Sequence, residues 1–283
     1  MGIKGAALKG CSLNVTNEKL ETIEDYVKMV SRGYVQCLFL FGEGGIGKTE
    51  TIMRTLEGEK ADAVYLNGVV TPLELYNLLY EYNGKLVVLD DIEGVLNNAR
   101  AISFLKGATY GYKGKRMVCY PTNTPLLRAP ESFEFTGQLI LCMNKFPENA
   151  ALESLYKRTV HYELKLSLAE KKSLLYQISE FPHKGIKHSQ RKMVCEFLVS
   201  HLTEATKDVS LRDLFKSYEI YRYKRSEWKP LVLKLLKIDT DIDVYLKCAE
   251  LGGSIKAQIR MFAEITGKSR RTFFYIRKKV ELI

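Results

Sequence analysis

Eight residues near the start of the chain, Gly42-Glu43-Gly44-Gly45-Ile46-Gly47-Lys48-Thr49, have the composition and spacing of a loop that grips phosphate. Glycines let a backbone wrap closely around an anion with its N–H groups turned inward. A helix beginning at the loop's end would add its positive terminus. Lys48 is placed to reach the β- and γ-phosphates of a nucleotide, and Thr49 to ligate Mg²⁺. Glu50, the next residue, is counted with this loop among the candidate nucleotide-binding positions.

A second group of chemically capable residues closes another apolar run, Lys85-Leu86-Val87-Val88-Leu89-Asp90-Asp91. Apolar residues ending in acid predict a buried parallel strand that delivers a carboxylate at its C-terminal end. Asp90 is the candidate metal ligand, with Thr49, and Asp91 the candidate general base for an attacking water. Glu93 is the alternative base. A third apolar run ends in Asn144, which would stand at the same sheet edge and orient that water or sense the γ-phosphate. Arg158, just before a further strand at 159–164, is either a surface charge or a group projecting into a neighbouring subunit's nucleotide.

These side chains need a scaffold, and its pattern is α/β. Helical spacing covers 16–32, with Thr16 and Asn17 as caps and Gly33 as the stop. The apolar run 35–41 is the strand before the phosphate loop, and Glu50–Leu56 continue as a helix. A strand at 63–66, a helix from about Pro72 to Tyr82, a helix at 101–110, a strand at 117–120 and, over 133–144, a turn and another buried strand follow. From Ser167 the pattern becomes helical, over 167–179, 188–204, 210–224 and 228–237, with Ser210 as a good cap and Trp228 as core packing.

Composition narrows the classes. The 283 residues suffice for one large domain or two modest ones. No apolar run approaches a membrane span, and the first ten residues lack the core of a signal peptide. Ala6 stands where a myristoyl site after Gly2 needs Ser or Thr. Six scattered cysteines without a C-x-x-C pair read as reduced thiols of a cytoplasmic protein. His183 and His188 flank a Lys/Gly loop and read as solvated, not as ligands.

The net charge of +10 is concentrated at the end of the chain, where residues 254–283 hold eight basic and two acidic residues. Helices at 255–266 and 269–280 flank Gly267, and Ala263 lies four positions before it, the spacing of a tight helix-turn-helix. Phe262, Phe273 and Ile276 form the inner face. Ser269, Arg270, Thr272, Tyr275 and Arg277 point outward, and with Lys268, Arg271 and Lys278 they make a set suited to duplex DNA. Residues 107–116 interleave tyrosines, glycines and basic groups, a composition suited equally to a solvated loop or to contact with single-stranded DNA.

Taken together these motifs resemble the AAA+ ATPase superfamily over about residues 17–237. Gly42–Thr49 is similar to its Walker A motif and Leu86–Asp91 to Walker B. The resemblance makes Asn144 the sensor 1 residue, Arg158 the arginine finger, Arg212 the sensor 2 arginine, and Asn67 a polar switch restraining the catalytic acid. Asp90-Asp91, in place of the common Asp-Glu, resembles replication initiators and helicase loaders. The Phe133-x-Phe135-x-Gly137 segment resembles the pre-sensor hairpin of viral and phage helicases.

The implied architecture is a P-loop α/β domain over 1–165, a helical lid over 166–237 and a helix-turn-helix domain over 238–283. The implied activity is Mg²⁺-ATP hydrolysis at subunit interfaces of a homo-oligomer acting on DNA, as an initiator, helicase or loader of a mobile element. An ATP-gated regulator and a transposition-associated ATPase are the alternatives, and no motif separates ATP from GTP.

Overall fold

Three strongly apolar segments of the first 165 residues, 37–41, 86–89 and 139–143, cannot be solvated on either face, so they need strand neighbours on both edges and helices above and below. In the computed structural model, which describes residues 17–68, 70–146, 150–203, 209–236 and 240–281, that requirement is met by a five-stranded sheet. The opening segment, with Gly2, Ala6, Cys11 and Thr16, lies outside the described residues, as does the side chain of Glu93.

The described residues divide into two contact units, 17–165 and 166–281. The first unit begins with α1 (Glu18–Ser31), capped by Asn17, whose side chain accepts from the Lys19 N–H. Then come β1 (Cys37–Gly42), α2 (Lys48–Gly58), β2 (Ala63–Asn67), α3 (Pro72–Glu81) and β3 (Leu86–Asp90). A short α4 (Glu93–Leu96) leads to α5 (Ala99–Thr109) and to the hairpin strands β4 (Met117–Cys119) and β5 (Ser132–Glu134). The unit closes with β6 (Gln138–Met143), α6 (Ala150–Tyr156) and β7 (Val160–Leu164).

The sheet order is β2-β3-β6-β1-β7, parallel throughout. Every residue of β1 and β3 is buried. Cys37, Phe39 and Phe41 pack on one face with Leu75, Tyr76, Leu79 and Leu105 from α3 and α5. The alternate residues Leu38 and Leu40 face the other side, where α1 packs on β1, β6, β7 and α2.

The β4–β5 hairpin is separate from the main sheet and packs Val118 and Phe133 into the α3/α5 core. Arg116 secures its base, donating through Nη1 to the carbonyls of Ala108 at 2.8 Å and Gly137 at 2.7 Å. Its guanidinium lies 5.4 Å from the Phe135 ring centroid, and burial draws its pKa below the usual value.

The second unit is helical: α7 (Leu168–Glu180), α8 (His188–Ser200), α9 (Leu211–Tyr223), α10 (Trp228–Leu235), α11 (Thr240–Glu250), α12 (Ile255–Thr266) and α13 (Arg270–Glu281). Ser167 with Glu170 and Ser210 with Asp213 form capping boxes that start α7 and α9. Trp228 is buried against Phe197 and Tyr221. His183 and His188 are paired, with Glu219 at 3.0 Å and Glu180 at 2.6 Å.

Helix α11 is an element the sequence pattern did not indicate. Its Ile242, Tyr245 and Cys248 join Phe262, Phe273 and Ile276 in a small core of their own. Among the described residues no helix is long and apolar enough to cross a membrane.

Gly137 is the point where β6 leaves the hairpin close to Lys85. A Cβ there would meet the Lys85 carbonyl oxygen at 2.2 Å and the Phe135 ring at 2.9 Å. Gly137→Ala should cost about 3 kcal/mol by overpacking, read as a fall in the thermal midpoint. An unchanged midpoint would remove this contact from the account.

Candidate nucleotide site

Register sets the site. Phe41 pairs with Met143 and Asp90 with Cys142, so β1, β6 and β3 end level with one another. Gly42, Asn144 and Asp91 therefore emerge side by side at one sheet edge.

The loop between β1 and α2 needs glycine for geometric reasons. Gly45 and Gly47 have φ of 72° and 97°, and Gly47 occupies the N-cap of α2 in the left-handed region. A Cβ on Gly44 would stand 3.2 Å from Asn144 Oδ1. Ile46 is buried and anchors the loop, whereas Glu43 and Glu50 are exposed.

Lys48 is 5% exposed, and its Nζ donates to the carbonyls of Gly42 and Glu43, both at 2.7 Å. Asn144 Oδ1 is a longer partner, at 3.5 Å. On the other side of this amide, Asn144 Nδ2 donates to Asp91 Oδ1 at 2.9 Å. One amide thus stands between the loop's cation and the candidate base. Its backbone is steadied just downstream, where the Phe146 ring packs 5.6 Å from Phe41 and 4.7 Å from Tyr156.

Asp90 is 5% exposed, and a carboxylate so buried must be supplied with donors. Thr49 Oγ1 donates to its Oδ2 at 3.0 Å, and the Tyr65 hydroxyl donates to the same oxygen at 2.6 Å. Asn67 Nδ2 in turn donates to the Tyr65 hydroxyl oxygen at 3.1 Å. Burial first, and then the hydrogen bond to Asp90, push the Tyr65 pKa up to about 12. Tyr65 was not singled out in the sequence, because its role depends on β2 pairing with β3, with Asn67 opposite Asp90.

The donor set suits magnesium. Mg²⁺ takes one or two protein oxygens, with waters and phosphate completing its sphere. Thr49 and Asp90 offer a hydroxyl and a carboxylate 3.0 Å apart beneath the loop. Among the described residues there is no cluster of three or more His, Cys, Asp or Glu side chains arranged to hold a metal.

Asp91 is exposed and has φ of 54°, a left-handed backbone that a non-glycine residue adopts at a cost. Its N–H donates to the Cys142 carbonyl at 3.1 Å. This turn aims the carboxylate out of the strand towards Asn144.

Arg158 is exposed, with its guanidinium 5.1 Å from the Tyr110 ring centroid. It precedes β7, whose Val160 pairs with Leu38, four residues before Gly42. At about 3.3 Å per residue, that alone separates the two by roughly 13 Å along the strands. Arg158 therefore lies towards the end of the sheet opposite its own phosphate loop. Arg212 is exposed on the first turn of α9, in the helical unit.

In the 107–116 segment, Gly107 to Thr109 finish α5, and Tyr112 bridges Lys115 in a tight hairpin with positive φ at Lys113 and Gly114. Tyr112 is 80% exposed, and Tyr110, Lys113 and Lys115 are also exposed, while Arg116 turns inward as described.

At the end of the chain Gly267, with φ of 67°, stops α12, and its N–H donates to the Ala263 carbonyl at 2.9 Å. Ser269 caps α13 by accepting from the Thr272 N–H. Arg270, Arg271, Tyr275 and Lys278 are exposed, and Thr272 and Arg277 are half-buried. Lys268 is ion-paired with Asp241.

The strained turn at Asp91 is open to test. Asp91→Gly should be more stable than Asp91→Ala by about 1 kcal/mol, because only glycine relieves the left-handed backbone. Equal denaturant midpoints for the two variants would show that this conformation carries no strain.

No protein-family model matches the chain, and no curated protein does. Solved structures do. Cdc6p from Pyrobaculum aerophilum is 12% identical, with 98% of this chain and 88% of that chain covered at a TM-score of 0.52. The RuvB Holliday junction branch migration motor of Thermotoga maritima is 13% identical, with 90% of this chain and 86% of that chain covered at a TM-score of 0.44. The likeness to Cdc6p is one of fold, a P-loop-type parallel sheet flanked by helices and followed by a helical region.

Proposed function

We propose that the chain is a Mg²⁺-dependent ATPase that acts on DNA as an oligomer, in the manner of a replication initiator, helicase or helicase loader. The observation that carries the reading is the convergence of Lys48, Thr49, Asp90, Asp91 and Asn144 at one sheet edge. Each is a group that phosphoryl transfer to water requires.

Bound Mg²⁺ would neutralise charge on the β- and γ-phosphate oxygens. Lys48 adds its charge to the same oxygens. Asp91 accepts the proton of the water that attacks the γ-phosphorus, and the bond to the ADP oxygen breaks. Asn144 holds Asp91 at 2.9 Å and so directs the base.

Completion of the site by a neighbouring subunit is supported by the location of Arg158. Remote from its own loop, it has the exposure and charge to meet another chain's nucleotide. Arg212 is proposed as a further phosphate contact from the helical unit.

DNA contact is supported by two surfaces. Arg270, Arg271, Tyr275 and Lys278 line the outer side of α13, with Ser269, Thr272 and Arg277 beside them, and are proposed to contact duplex. Tyr110, Tyr112, Lys113 and Lys115 present rings and charge at the hairpin, a pairing suited to stacked single strands.

Lys48→Ala should lose nucleotide affinity, read by titration with a fluorescent ATP analogue. Arg158→Ala should bind nucleotide normally yet turn over on the order of 10³-fold more slowly. Mixing these two variants should restore activity, since each supplies what the other's interface lacks. A mixture as inactive as its parts, or an Arg158→Ala variant with normal turnover, would sink the shared-site claim.

For DNA, Arg271→Ala and Lys278→Ala should each weaken duplex binding for all sequences alike. Each should also lower the slope of log affinity against log salt by about 1. Wild-type slopes in both variants would exclude α13 from the interface.

A further inference from the structure

Most contacts at the nucleotide site come from segments that belong to the phosphate loop or follow directly from a strand end. Tyr65 is different. It lies within β2, which is hydrogen-bonded to β3 in parallel register, with Tyr65 opposite Val88 and Asn67 opposite Asp90. Side chains two residues apart on a strand share a face, so Tyr65, Asn67 and Asp90 stand on the same side of the sheet.

Their bonds run in one direction. Asn67 Nδ2 donates to the Tyr65 hydroxyl, and that hydroxyl donates to Asp90 Oδ2. Accepting one bond strengthens the next, since each polarises its neighbour. Oδ2 also receives the Thr49 hydroxyl. The two donors come from unlike sources. Thr49 belongs to the first turn of α2 and moves with the phosphate loop, whereas Tyr65 is tied to the strand ladder that carries Asp90 itself.

We propose that Tyr65 is a positioning residue for the magnesium ligand Asp90, keeping its carboxylate in the metal-binding orientation independently of the phosphate loop. The inference rests on the ATPase reading. A tyrosine needed only for packing would bury its ring and leave its hydroxyl to solvent. Here the residue as a whole is 37% exposed, and its hydroxyl is engaged by two side-chain partners. Asn67 orients the tyrosine and through it the carboxylate.

The test removes one oxygen atom. Tyr65→Phe keeps the ring and deletes the donor. Magnesium chloride is titrated into the full-length chain with a fluorescent, non-hydrolysable ATP analogue, and the half-saturating magnesium concentration is read. Loss of a partner that orients a metal ligand should raise that concentration by about tenfold. The analogue's affinity in EDTA should stay at the wild-type value, because Lys48 and the loop are untouched.

A half-saturating concentration equal to wild type would overturn the proposal. So would an equal loss of analogue binding with and without magnesium, which would mean that Tyr65 acts by holding the loop. A wild-type chain with no magnesium-dependent binding would overturn the ATPase reading itself. If Tyr65→Phe fails to fold, Asn67→Ala carries the same measurement with the ring in place. It should shift the magnesium requirement in the same direction, and an unshifted value would count against the proposal.

Discussion

The constraint on which the site depends is the placement of β6 between β1 and β3. A strand in that position is buried on both faces and both edges, so only apolar residues are tolerated until it ends. Leu139, Ile140, Leu141, Cys142 and Met143 meet that demand. The polar residue that follows this run, Asn144, is therefore the first to leave the sheet, between the phosphate loop on one side and the acidic pair on the other. If β1 and β3 were direct neighbours, no side chain could stand between Lys48 and Asp91.

The outlines of the first unit were legible because its signals are redundant. The phosphate loop combines glycine spacing, a preceding apolar run and a following helix, and the acidic pair closes a run that has no other reason to end in charge. Tyr65 was hidden for the opposite reason. On β2 it reads as a β-forming aromatic, and its chemistry exists only once Asn67 is known to lie opposite Asp90. Arg116 was similarly opaque. Among Lys113 and Lys115 it looks like another surface charge, and it takes the backbone carbonyls of Ala108 and Gly137, distant in sequence, to turn it inward.

Helix α11 escaped for a reason of scale. Its buried residues, Ile242, Tyr245 and Cys248, recur every three positions among aspartates, too few to raise a periodic signal over so short a span. They make sense as half of a core shared with α12 and α13. Of those two, the glycine stop and the apolar face were readable, because Phe262, Phe273 and Ile276 must go somewhere and only one side of each helix offers them company. The histidines show the same dependence on partners. Glu219 and Glu180 face His183 and His188 from positions that spacing alone does not link.

Asn144 joins these arguments to the chemistry. A neutral amide can present its oxygen to a cation and its N–H₂ to an anion at the same time, and this one does so towards Lys48 and Asp91. An aspartate here could accept from the lysine but would offer Asp91 no donor. It would also set two carboxylates within hydrogen-bonding distance of each other, which raises the pKa of one of them. A general base is useful only if it is unprotonated at working pH, so the amide preserves the base as well as aiming it. The same reasoning separates the two acidic residues. Asp90 is buried, and two hydroxyls hold its carboxylate in place for the metal-ligand role proposed above. Asp91, one residue on, is turned outward by a left-handed backbone and held by an amide, as the base proposed above requires. Adjacent identical side chains thus acquire different surroundings from the donors that the strand order places around them.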